Sequence, residues 1–557
     1  MLLLVAYLSH VVLLIGPSLA VESVLWGKAT ANTSFGLLVG NHDALQGCNS
    51  WLGVPYAEAP VGELRFAGPK LWTRAYPSEG YNAKNYGAFC PQLKGGDEDC
   101  LFLNVWSPTG KAASLSVMVW IHGGAFDLGA SSSNAPGVIP NVFNTCDGCG
   151  LSSRYGVVVA SMNYRLGPLG YLTFPTDDHV SRGTVDANFG MRDQRTALQW
   201  LQHELPAFGG DPTKVTIFGQ SAGGISVFYH LASPRSKGLF RAAIIESGFP
   251  SSFTSTYAWN LTQAYGTSLN CSDPTTLRSC LMDKDTKTLI AAAGEAKSPF
   301  TSAGWSPVID GLDMPNAPME MFKHGKTNQV PVLAGTNTDE GNAFVWPSYK
   351  HGMNDSQYHE FVHTLVNGHD PVQRLNDTEM ASVFAAYNAS CTSDKRVCAA
   401  AAITDATFLC ATHFVAQWHS LTAPFYLYRF NHRSLCNALL NRAIPGVYHA
   451  SEIIYVFGDP LTEACLFSPQ ESSLARRMQS MWTNFAKDLE PKLPSRAKED
   501  FPHYSNDTRS SVVLETPADK IETDYRGNYC NFWTKVLYPK MDGSTRDDGD
   551  VASAVIV

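Results

Sequence analysis

Long basic runs, internal repeats and low-complexity tracts are absent from the 557-residue sequence. The formal net charge is −9 at pH 7, and the isoelectric point is near 6.0. Nucleic acids and anionic membrane surfaces attract clustered lysine and arginine, so we expect neither as a partner. Hydrophobic residues make up 44% of the chain, which is enough to bury the core of one large α/β domain.

Metal and nucleotide motifs are also missing. The sequence contains no HExxH, no P-loop and no phosphate-binding GxGxxG after a predicted strand, so we expect no cofactor. Beyond the first twenty residues, no stretch is long and apolar enough to cross a bilayer, which argues against a membrane span. The terminal "VASAVIV" is too short for a GPI signal and carries no ER-retention tetrapeptide.

The first twenty residues, "MLLLVAYLSHVVLLIGPSLA", are apolar and end in a small-x-small pattern. They predict a signal peptide over residues 1–20, although its usual positive charge is missing, and an uncleaved anchor helix is the alternative. Residues 21–540 are expected to form a single domain and 541–557 a flexible tail. Seven N-x-S/T sequons agree with secretion: Asn32, Asn260, Asn270, Asn354, Asn376, Asn388 and Asn506.

Thirteen cysteines fit an oxidising compartment, where most would form disulfides, and their odd number leaves at least one outside any intrachain bridge. The pair Cys146-x-x-Cys149 is compatible with a redox or metal site. Since it lies in a Gly/Ser/Asn-rich loop without a companion cluster, we expect instead a local bridge between these two residues.

Strand-like segments alternate with helical patterns along the chain. The strand-like segments are "SVMVWIH", "GVVVASMNY", "KVTIFG", "FRAAIIES", "QVPVLAGTN" and "PFYLYRFN". Helical patterns include "NFGMRDQRTALQWLQHEL" and "SSLARRMQSMWTNFAKDL". This alternation predicts an α/β fold with a large, mostly parallel sheet covered on both faces. The regions 260–326 and 346–405 look more helical and loop-rich, as insertions over a site would.

A possible nucleophile stands at the end of one of these strands. Gly219-Gln220-Ser221-Ala222-Gly223 is a G-x-S-x-G pattern between the strand "KVTIF" and the helical "ISVFYHLA". Such a turn exposes a strained serine, and small neighbours avoid backbone clashes. The pattern alone is weak, and an ordinary serine between glycines is the alternative.

A second loop offers the amide donors that a tetrahedral oxyanion needs. In "VMVWIHGGAFDLG" a strand ends at His122 and is followed by a tight turn through Gly123, Gly124 and Ala125. The alternative is a plain glycine-rich turn.

The chain resembles the type-B carboxylesterase/lipase family, which includes the cholinesterases and has the α/β-hydrolase fold. The resemblance runs in order through "WLGVPYAEAPVGELRF", "DEDCLFLNVW", "ASMNYRLGPLGYL", "NFGMRDQRTALQWLQHELPAFGGDPTKVTIFGQSAGG", "GTNTDEGNAF" and "GVYHASEIIYVFG". It covers most of the chain after residue 20. The resemblance implies a serine hydrolase that acts on carboxylic esters.

The resemblance also implies a catalytic triad of Ser221, Glu340 and His449, in the chain order of this fold. Asp339 is the alternative acid, and His449 could instead cap a helix. Glu452 is expected to hydrogen-bond within its own loop, with a role near the site left open.

By the same resemblance, the oxyanion amides are those of Gly124, Ala125 and Ala222. Ala125 departs from the commoner third glycine, but its backbone N–H is retained. Two structural ion pairs are implied, Arg65–Glu98 and Arg165–Asp193. The implied disulfides are Cys90–Cys100, Cys271–Cys280 and Cys410–Cys530. Cys391–Cys398 is a local guess, and the pairing of Cys48, Cys436 and Cys465 is left open.

The leading hypothesis is therefore a secreted esterase acting on a small-molecule or lipid ester, in an unknown oligomeric state. A catalytically silent adhesion protein, a lipase and a cholinesterase are the alternatives. Choline esters are expected to be poor substrates. The loop "CPQLKGGDEDC" has no aromatic residue, whereas the cholinesterase loop carries a tryptophan, and Gln220 replaces the cholinesterase glutamate before the nucleophile.

Overall fold

The computed structural model describes residues 26–110, 113–132, 146–176, 184–295, 304–366, 375–388, 391, 394–434, 444–458, 467–493 and 500–538. The predicted signal peptide, the predicted tail, Cys436 and Cys465 lie outside these residues.

Fifteen strands occur within the described ranges. They are β1 (Trp26–Thr33), β2 (Gly36–Asp43), β3 (Cys48–Pro55), β4 (Tyr81–Asn82), β5 (Phe102–Pro108), β6 (Leu115–Ile121), β7 (Val158–Met162), β8 (Phe174–Pro175), β9 (Val185–Asp186), β10 (Gly210–Gln220), β11 (Ala242–Glu246), β12 (Val332–Asn337), β13 (Phe425–Phe430), β14 (Ser510–Leu514) and β15 (Lys520–Thr523).

The α-helices lie mostly between and after the central strands. They are α1 (Cys149–Tyr155), α2 (Gly167–Tyr171), α3 (Phe189–Glu204), α4 (Ala222–Ala232), α5 (Ser255–Ser268), α6 (Leu277–Met282), α7 (Thr286–Glu295), α8 (Pro318–Lys323), α9 (Asn342–Ser348), α10 (Asp355–Val366), α11 (Asp377–Asn388), α12 (Arg396–Ile403), α13 (Cys410–His419), α14 (Ile453–Phe457), α15 (Pro469–Asp488) and α16 (Gly527–Val536). A π-helical segment, Thr404–Leu409, joins α12 to α13.

One large sheet organises the molecule, in the order β1-β2-β3-β5-β7-β6-β10-β11-β12-β13-β14-β15 with β4 beside β2. Neighbours from β7 through β14 are parallel. The strands from β1 to β7 at one end, and β15 at the other, pair antiparallel along this order. The six predicted strands are β6, β7 and β10 to β13, and the predicted α/β fold is confirmed.

Both faces of the central sheet are buried, because successive side chains of a strand point to opposite faces. In β6, Val117, Val119 and Ile121 belong to one core cluster, whereas Met118 and Trp120 belong to another. The first cluster includes much of α4, and the second includes the apolar stripe of α15. A strand that is buried on both faces needs apolar residues at successive positions, so its sequence is a continuous apolar run.

Helix α15 shows how the local sequence fixes an element. Ser468 accepts a hydrogen bond from the Glu471 backbone N–H, and the Glu471 side chain accepts one from the Ser468 N–H, which forms a capping box. Pro469 begins the helix, where its missing N–H costs nothing. Buried side chains then recur at helical spacing, including Leu474, Met478 and Trp482, so the cap and the apolar stripe specify the same helix.

The disulfides correct one expectation. The expected bridge between Cys146 and Cys149 is wrong, because Cys149 at the start of α1 is joined to Cys48 at the start of β3. The two Cα atoms lie 5.7 Å apart across 101 residues of sequence. The structure also joins Cys90 to Cys100, Cys271 to Cys280, Cys391 to Cys398 and Cys410 to Cys530.

Within the described part of the chain, one helical stretch, Arg396–His419, is long and apolar enough by length and composition to cross a membrane. Most of it is buried inside the protein.

Candidate active site

Ser221 lies on a sharp turn between β10 and α4. Its backbone has φ 58° and ψ −123°, a conformation that non-glycine residues rarely adopt. The Ser221 N–H donates to the Glu246 carbonyl at 3.0 Å, which ties the turn to the neighbouring strand β11. A Cβ at Gly223 would lie 2.0 Å from the Ile121 carbonyl oxygen. The turn therefore requires glycine there and holds the serine at the carboxyl end of the sheet.

The glycine-rich loop after β6 packs directly on this turn. A Cβ added at Gly123 would lie 3.1 Å from the Ser221 Cβ. Gly124 has φ 116°, and Ala125 also has a left-handed φ of 54°. Gly124 suits its position because a side chain there would meet the Leu128 carbonyl. The loop thus keeps its backbone against the serine even though alanine replaces the third glycine.

Two buried side chains brace this loop. The Gln92 amide donates to the Gly129 carbonyl at 3.0 Å and accepts from the Gly129 N–H at 3.1 Å, which links the Cys90–Cys100 loop to the glycine-rich turn. His122 stacks on Tyr164 with 4.3 Å between ring centroids. Burial lowers the pKa of His122 to about 4, so this imidazole is neutral near pH 7 and its Nδ1–H donates to the Gly123 carbonyl.

Glu340 and His449 meet at the carboxyl end of β12. His449 Nδ1 lies 2.6 Å from Glu340 Oε2, and both side chains are buried. A carboxylate accepts hydrogen bonds only, so Nδ1 carries the proton and Nε2 presents its lone pair. His449 Nε2 lies 3.2 Å from Nε2 of Gln220, the residue before Ser221, so the Gln220 amide N–H donates to it. The basic nitrogen of His449 therefore faces the serine turn.

Asp339, the alternative acid, contacts the histidine loop differently. Its Oδ2 accepts from the Val447 N–H at 2.8 Å, and its own N–H donates to the Val447 carbonyl at 2.9 Å. Burial raises the pKa of the Asp339 carboxyl. Asp339 thus holds the loop that carries His449, whereas Glu340 contacts the imidazole.

Glu452 contacts Asn337 at the end of β12. The Asn337 side-chain N–H donates to Glu452 Oε2 at 2.5 Å and to the Tyr448 carbonyl at 2.9 Å. One amide therefore joins the end of β12 to the residues on both sides of His449.

The two expected ion pairs are confirmed. The Arg165 guanidinium binds Asp193 through Nε at 2.8 Å and Nη2 at 2.7 Å, with both side chains buried. Arg65 makes a similar two-point contact with Glu98. Arg65 also donates to the Met282 carbonyl at 2.8 Å, which ties distant segments together and fits a structural role. Within the described ranges, no group of three His, Cys, Asp or Glu side chains could hold a metal ion.

Comparison with known proteins identifies the family to which the chain belongs. The model of the carboxylesterase family matches residues 27–533. The chain is 32% identical over 540 residues to acetylcholinesterase of Bungarus fasciatus, covering 89% of this chain and 84% of that protein. It is 32% identical over 515 residues to para-nitrobenzyl esterase of Bacillus subtilis (strain 168), covering 88% and 96%. A solved PNB esterase structure matches with a TM-score of 0.74 and 30% identity, covering 90% of this chain and 99% of that one.

The chain belongs to the carboxylesterase family. It is a carboxylic ester hydrolase with the α/β-hydrolase fold of the PNB esterase structure.

Aromatic side chains enclose His449 in this carboxylesterase. Its ring centroid lies 5.1 Å from Phe344 on α9 and 5.0 Å from Phe408 in the π-helical segment. Phe344 and Phe408 stack on each other, and Phe249 packs edge-on against Phe408. The π-helical segment is anchored beside the acid, since Thr404 Oγ1 accepts from the Gly341 N–H at 3.0 Å. Aromatic rings therefore cover one side of the imidazole, whereas Glu340 and Gln220 bind its two nitrogen atoms.

Sequence reasoning missed several residues that the structure brings to this site. Ser247, Asn337 and Gln92 contact the acid, the histidine loop and the glycine-rich loop across long sequence separations. Phe344 lies four residues after Glu340 and could have been suspected from that spacing alone. The Gln92 contact crosses 37 residues and Ser247 reaches Glu340 across 93, so no local pattern reveals them.

Proposed function

We propose that this carboxylesterase is a secreted serine esterase in which Ser221 is the nucleophile, His449 the general base and Glu340 the acid that orients it. One observation carries the proposal. The strained Ser221 turn, the glycine-rich loop and the Glu340–His449 pair converge at the carboxyl ends of β6, β10 and β12. Their convergence supports a nucleophile, a base whose lone pair accepts from Gln220 beside the serine, and backbone donors at one place.

The chemistry follows from these positions. His449 Nε2 takes the Ser221 Oγ proton as Oγ bonds to the ester carbonyl carbon. The imidazolium then gives that proton to the departing alkoxide, which leaves an acyl-serine. Water repeats the sequence, with His449 taking its proton, and releases the acid. Glu340 stabilises the imidazolium without itself taking the proton.

The oxyanion formed in each half-reaction needs donors. In this proposal they are the N–H groups of Gly124, Ala125 and Ala222. Ala222 begins α4 directly after the nucleophile, where helical N–H groups lack intrahelical partners. The first two belong to the loop that packs on Ser221. Removing one such donor typically costs about 10²- to 10³-fold in rate.

Ser221→Ala tests the nucleophile. Turnover of an aryl ester should fall by about 10⁴-fold or more, because a triad works as a unit. The matched control is Ser226→Ala on the same helix, since the buried Ser226 hydroxyl donates to the Ala222 carbonyl at 2.8 Å. That control should lose some thermal stability and keep its activity. Full activity in folded Ser221→Ala protein, or equal loss in both variants, would reject the assignment.

The proposed substrates are neutral esters in preference to choline esters. The loop from Cys90 to Cys100 is closed by a disulfide and carries no aromatic residue. Gln220, which is uncharged, occupies the position before the nucleophile and binds His449 instead of attracting a cation. Phe344 and Phe408 present apolar faces beside the imidazole but stack on one another. Loss of a desolvated cation–π contact with tryptophan costs roughly 2 kcal/mol, about thirtyfold in affinity.

A direct comparison tests this preference. We expect kcat/KM for a short neutral aryl ester to exceed that for a choline thioester of the same acyl length by at least about tenfold. Gln220→Glu should reduce this difference in kcat/KM, because it places a negative charge at the position before the nucleophile. Equal or greater efficiency with the choline substrate in the unmodified protein would refute the preference. An aryl ester series of graded acyl length then distinguishes esterase from lipase behaviour.

Secretion is supported by the surface chemistry. All seven sequon asparagines are exposed, as attachment of a glycan requires. Five disulfides join cysteines of the described residues, which fits an oxidising compartment. Expression in a eukaryotic cell should place the protein in the medium with glycans that an endoglycosidase removes. Retention in the cytosol without glycans would contradict secretion.

A further inference from the structure

An arginine-lined pocket opens on the surface beside α3, outside the proposed catalytic site. Its volume is about 360 Å³. Its polar lining consists of three guanidinium groups, one carboxylate and neutral polar side chains, which include Arg192, Arg195, Arg235, Asp186, Thr196 and Gln199. A concentration of guanidinium groups is unexpected in a chain of net charge −9.

Arg192 is already fully engaged by carboxylates. Its Nε donates to Asp313 Oδ2 at 3.0 Å, and its Nη1 donates to Asp186 Oδ1 at 2.7 Å. Its Nη2 lies 3.8 Å from Asp310. This guanidinium forms the wall of the pocket and has little capacity for a ligand.

Arg195 and Arg235 share a single carboxylate oxygen. Arg195 Nη1 lies 3.0 Å from Asp313 Oδ1, and Arg235 Nη1 lies 3.2 Å from the same atom. Among the described residues, Arg195 Nη1 is buried without an aligned hydrogen-bond partner. Because both groups are within about 3 Å of one atom, the two terminal nitrogens are about 6 Å apart or less. Two like charges at this separation favour an additional anion.

The number of charged groups around the pocket also favours an additional anion. Four guanidinium groups face three carboxylates in this network, which comprises Arg192, Arg195, Arg235 and Arg278 with Asp186, Asp310 and Asp313. The network therefore has an excess of one positive charge. We assign this excess to Arg195 and Arg235, because both pair with the same oxygen, Asp313 Oδ1. Neutral donors also hold Asp310 in this network, since its Oδ1 accepts three backbone N–H groups and its Oδ2 an Asn188 amide.

We propose that this pocket binds a tetrahedral oxyanion, a phosphate or sulfate group, between Arg195 and Arg235. A guanidinium presents parallel N–H donors that match two oxygens of such a group. The volume exceeds that of a bare oxyanion, so the group can be part of an ester. Thr196 and Gln199 supply neutral donors at the pocket wall. Binding places negative charge beside the excess positive charge and stabilises the folded state.

Calorimetric titration and thermal unfolding of the full chain test the site with three probes: inorganic phosphate, inorganic sulfate and a sulfated disaccharide. Chloride at matched ionic strength is the reference. Arg235→Gln should lower the affinity for the bound oxyanion by about tenfold or more and abolish the thermal shift. Arg235 is half exposed, so this variant should fold. Tighter binding of phosphate points to a phosphorylated ligand, and tighter binding of the disaccharide points to a sulfated glycan.

Arg74→Gln is the matched control. Arg74 is also exposed and pairs with one carboxylate, Glu58, at 2.7 Å, but it lies outside the pocket. Its removal should leave oxyanion binding unchanged. Both variants should hydrolyse a neutral aryl ester as the parent protein does, so this test is independent of the proposed catalysis. Absence of saturable binding beyond chloride, or equal affinity in Arg235→Gln and the parent, overturns the proposal.

Discussion

The buried carboxyls around the proposed catalytic site differ in their hydrogen bonds. Glu340 accepts from His449 Nδ1, from the Ser247 hydroxyl at 2.5 Å and from the Asn337 N–H at 2.6 Å. Glu246, at the end of β11, accepts from Trp482 Nε1 at 2.8 Å, and its Oε2 has no partner among the described residues. An ionised carboxylate needs several donors, so Glu340 is suited to negative charge and Glu246 is not.

The pKa values of two carboxyls, Glu246 and Glu452, are raised. Burial, and then repulsion from Glu452, raises the pKa of Glu246 to about 8. Burial, and then repulsion from Glu340, raises the pKa of Glu452 to about 7. Both groups are therefore largely protonated below neutral pH. The comparison teaches that donors, more than depth of burial, decide which carboxyl can serve an imidazolium.

Replacing glutamate by glutamine should lower activity at Glu340 and should change the pH dependence of stability at Glu246. In Glu340→Gln, an amide replaces the acceptor of the Nδ1 proton and favours the wrong tautomer of His449. We expect kcat to fall by about 10³- to 10⁴-fold while the circular dichroism spectrum is unchanged. Steady-state hydrolysis of an aryl ester measures this. A fall of less than tenfold would mean that Glu340 does not orient the base.

Glu246→Gln should instead change how stability depends on pH. A carboxyl whose pKa is raised in the folded state contributes stability that is complete below its unfolded value, about 4.5. That contribution is lost as pH rises through about 8. The Gln side chain cannot ionise and can still accept from Trp482. Between pH 6 and pH 9, the Tm of the variant should therefore fall less than the Tm of the parent protein. Its kcat should change little.

Glu98→Gln is the control for that pH series. Glu98 is paired with Arg65, so its loss should lower Tm at every pH without flattening the profile. Parallel Tm profiles in the parent protein and Glu246→Gln would contradict the assignment of a protonated Glu246.

Much of the fold follows from local sequence. The apolar runs of β6, β10 and β11 and the glycines around Ser221 each specify their own geometry. The antiparallel strands β1 to β3 and the antiparallel pair β14 and β15 were not predicted, because their sequences contain no long apolar run. The Cys48–Cys149 bridge was missed because it depends on the packing of α1 against β3, which a loop composition does not reveal.

Some residues of the candidate site could be predicted from the sequence, and others could not. Ser221, Glu340 and His449 were each inferred from motifs, and the structure brings Glu340 to His449 and Gln220 to His449. The Ser247 hydroxyl and the Phe408 ring reach the site from β11 and from a π-helical segment, whose irregular turn has no recognised sequence signature. Such contacts arise only when distant elements pack together.

Covalent labelling tests the central claim, that Ser221 is the nucleophile, most directly. An organophosphate should inactivate the protein with a stoichiometry of about one, and peptide mapping should place the adduct on Ser221, in step with the loss of activity. Prior substitution of His449 by alanine should slow labelling strongly, because the serine then lacks its base. Complete inactivation with the adduct on another residue, or retained activity with Ser221 fully labelled, would contradict the account.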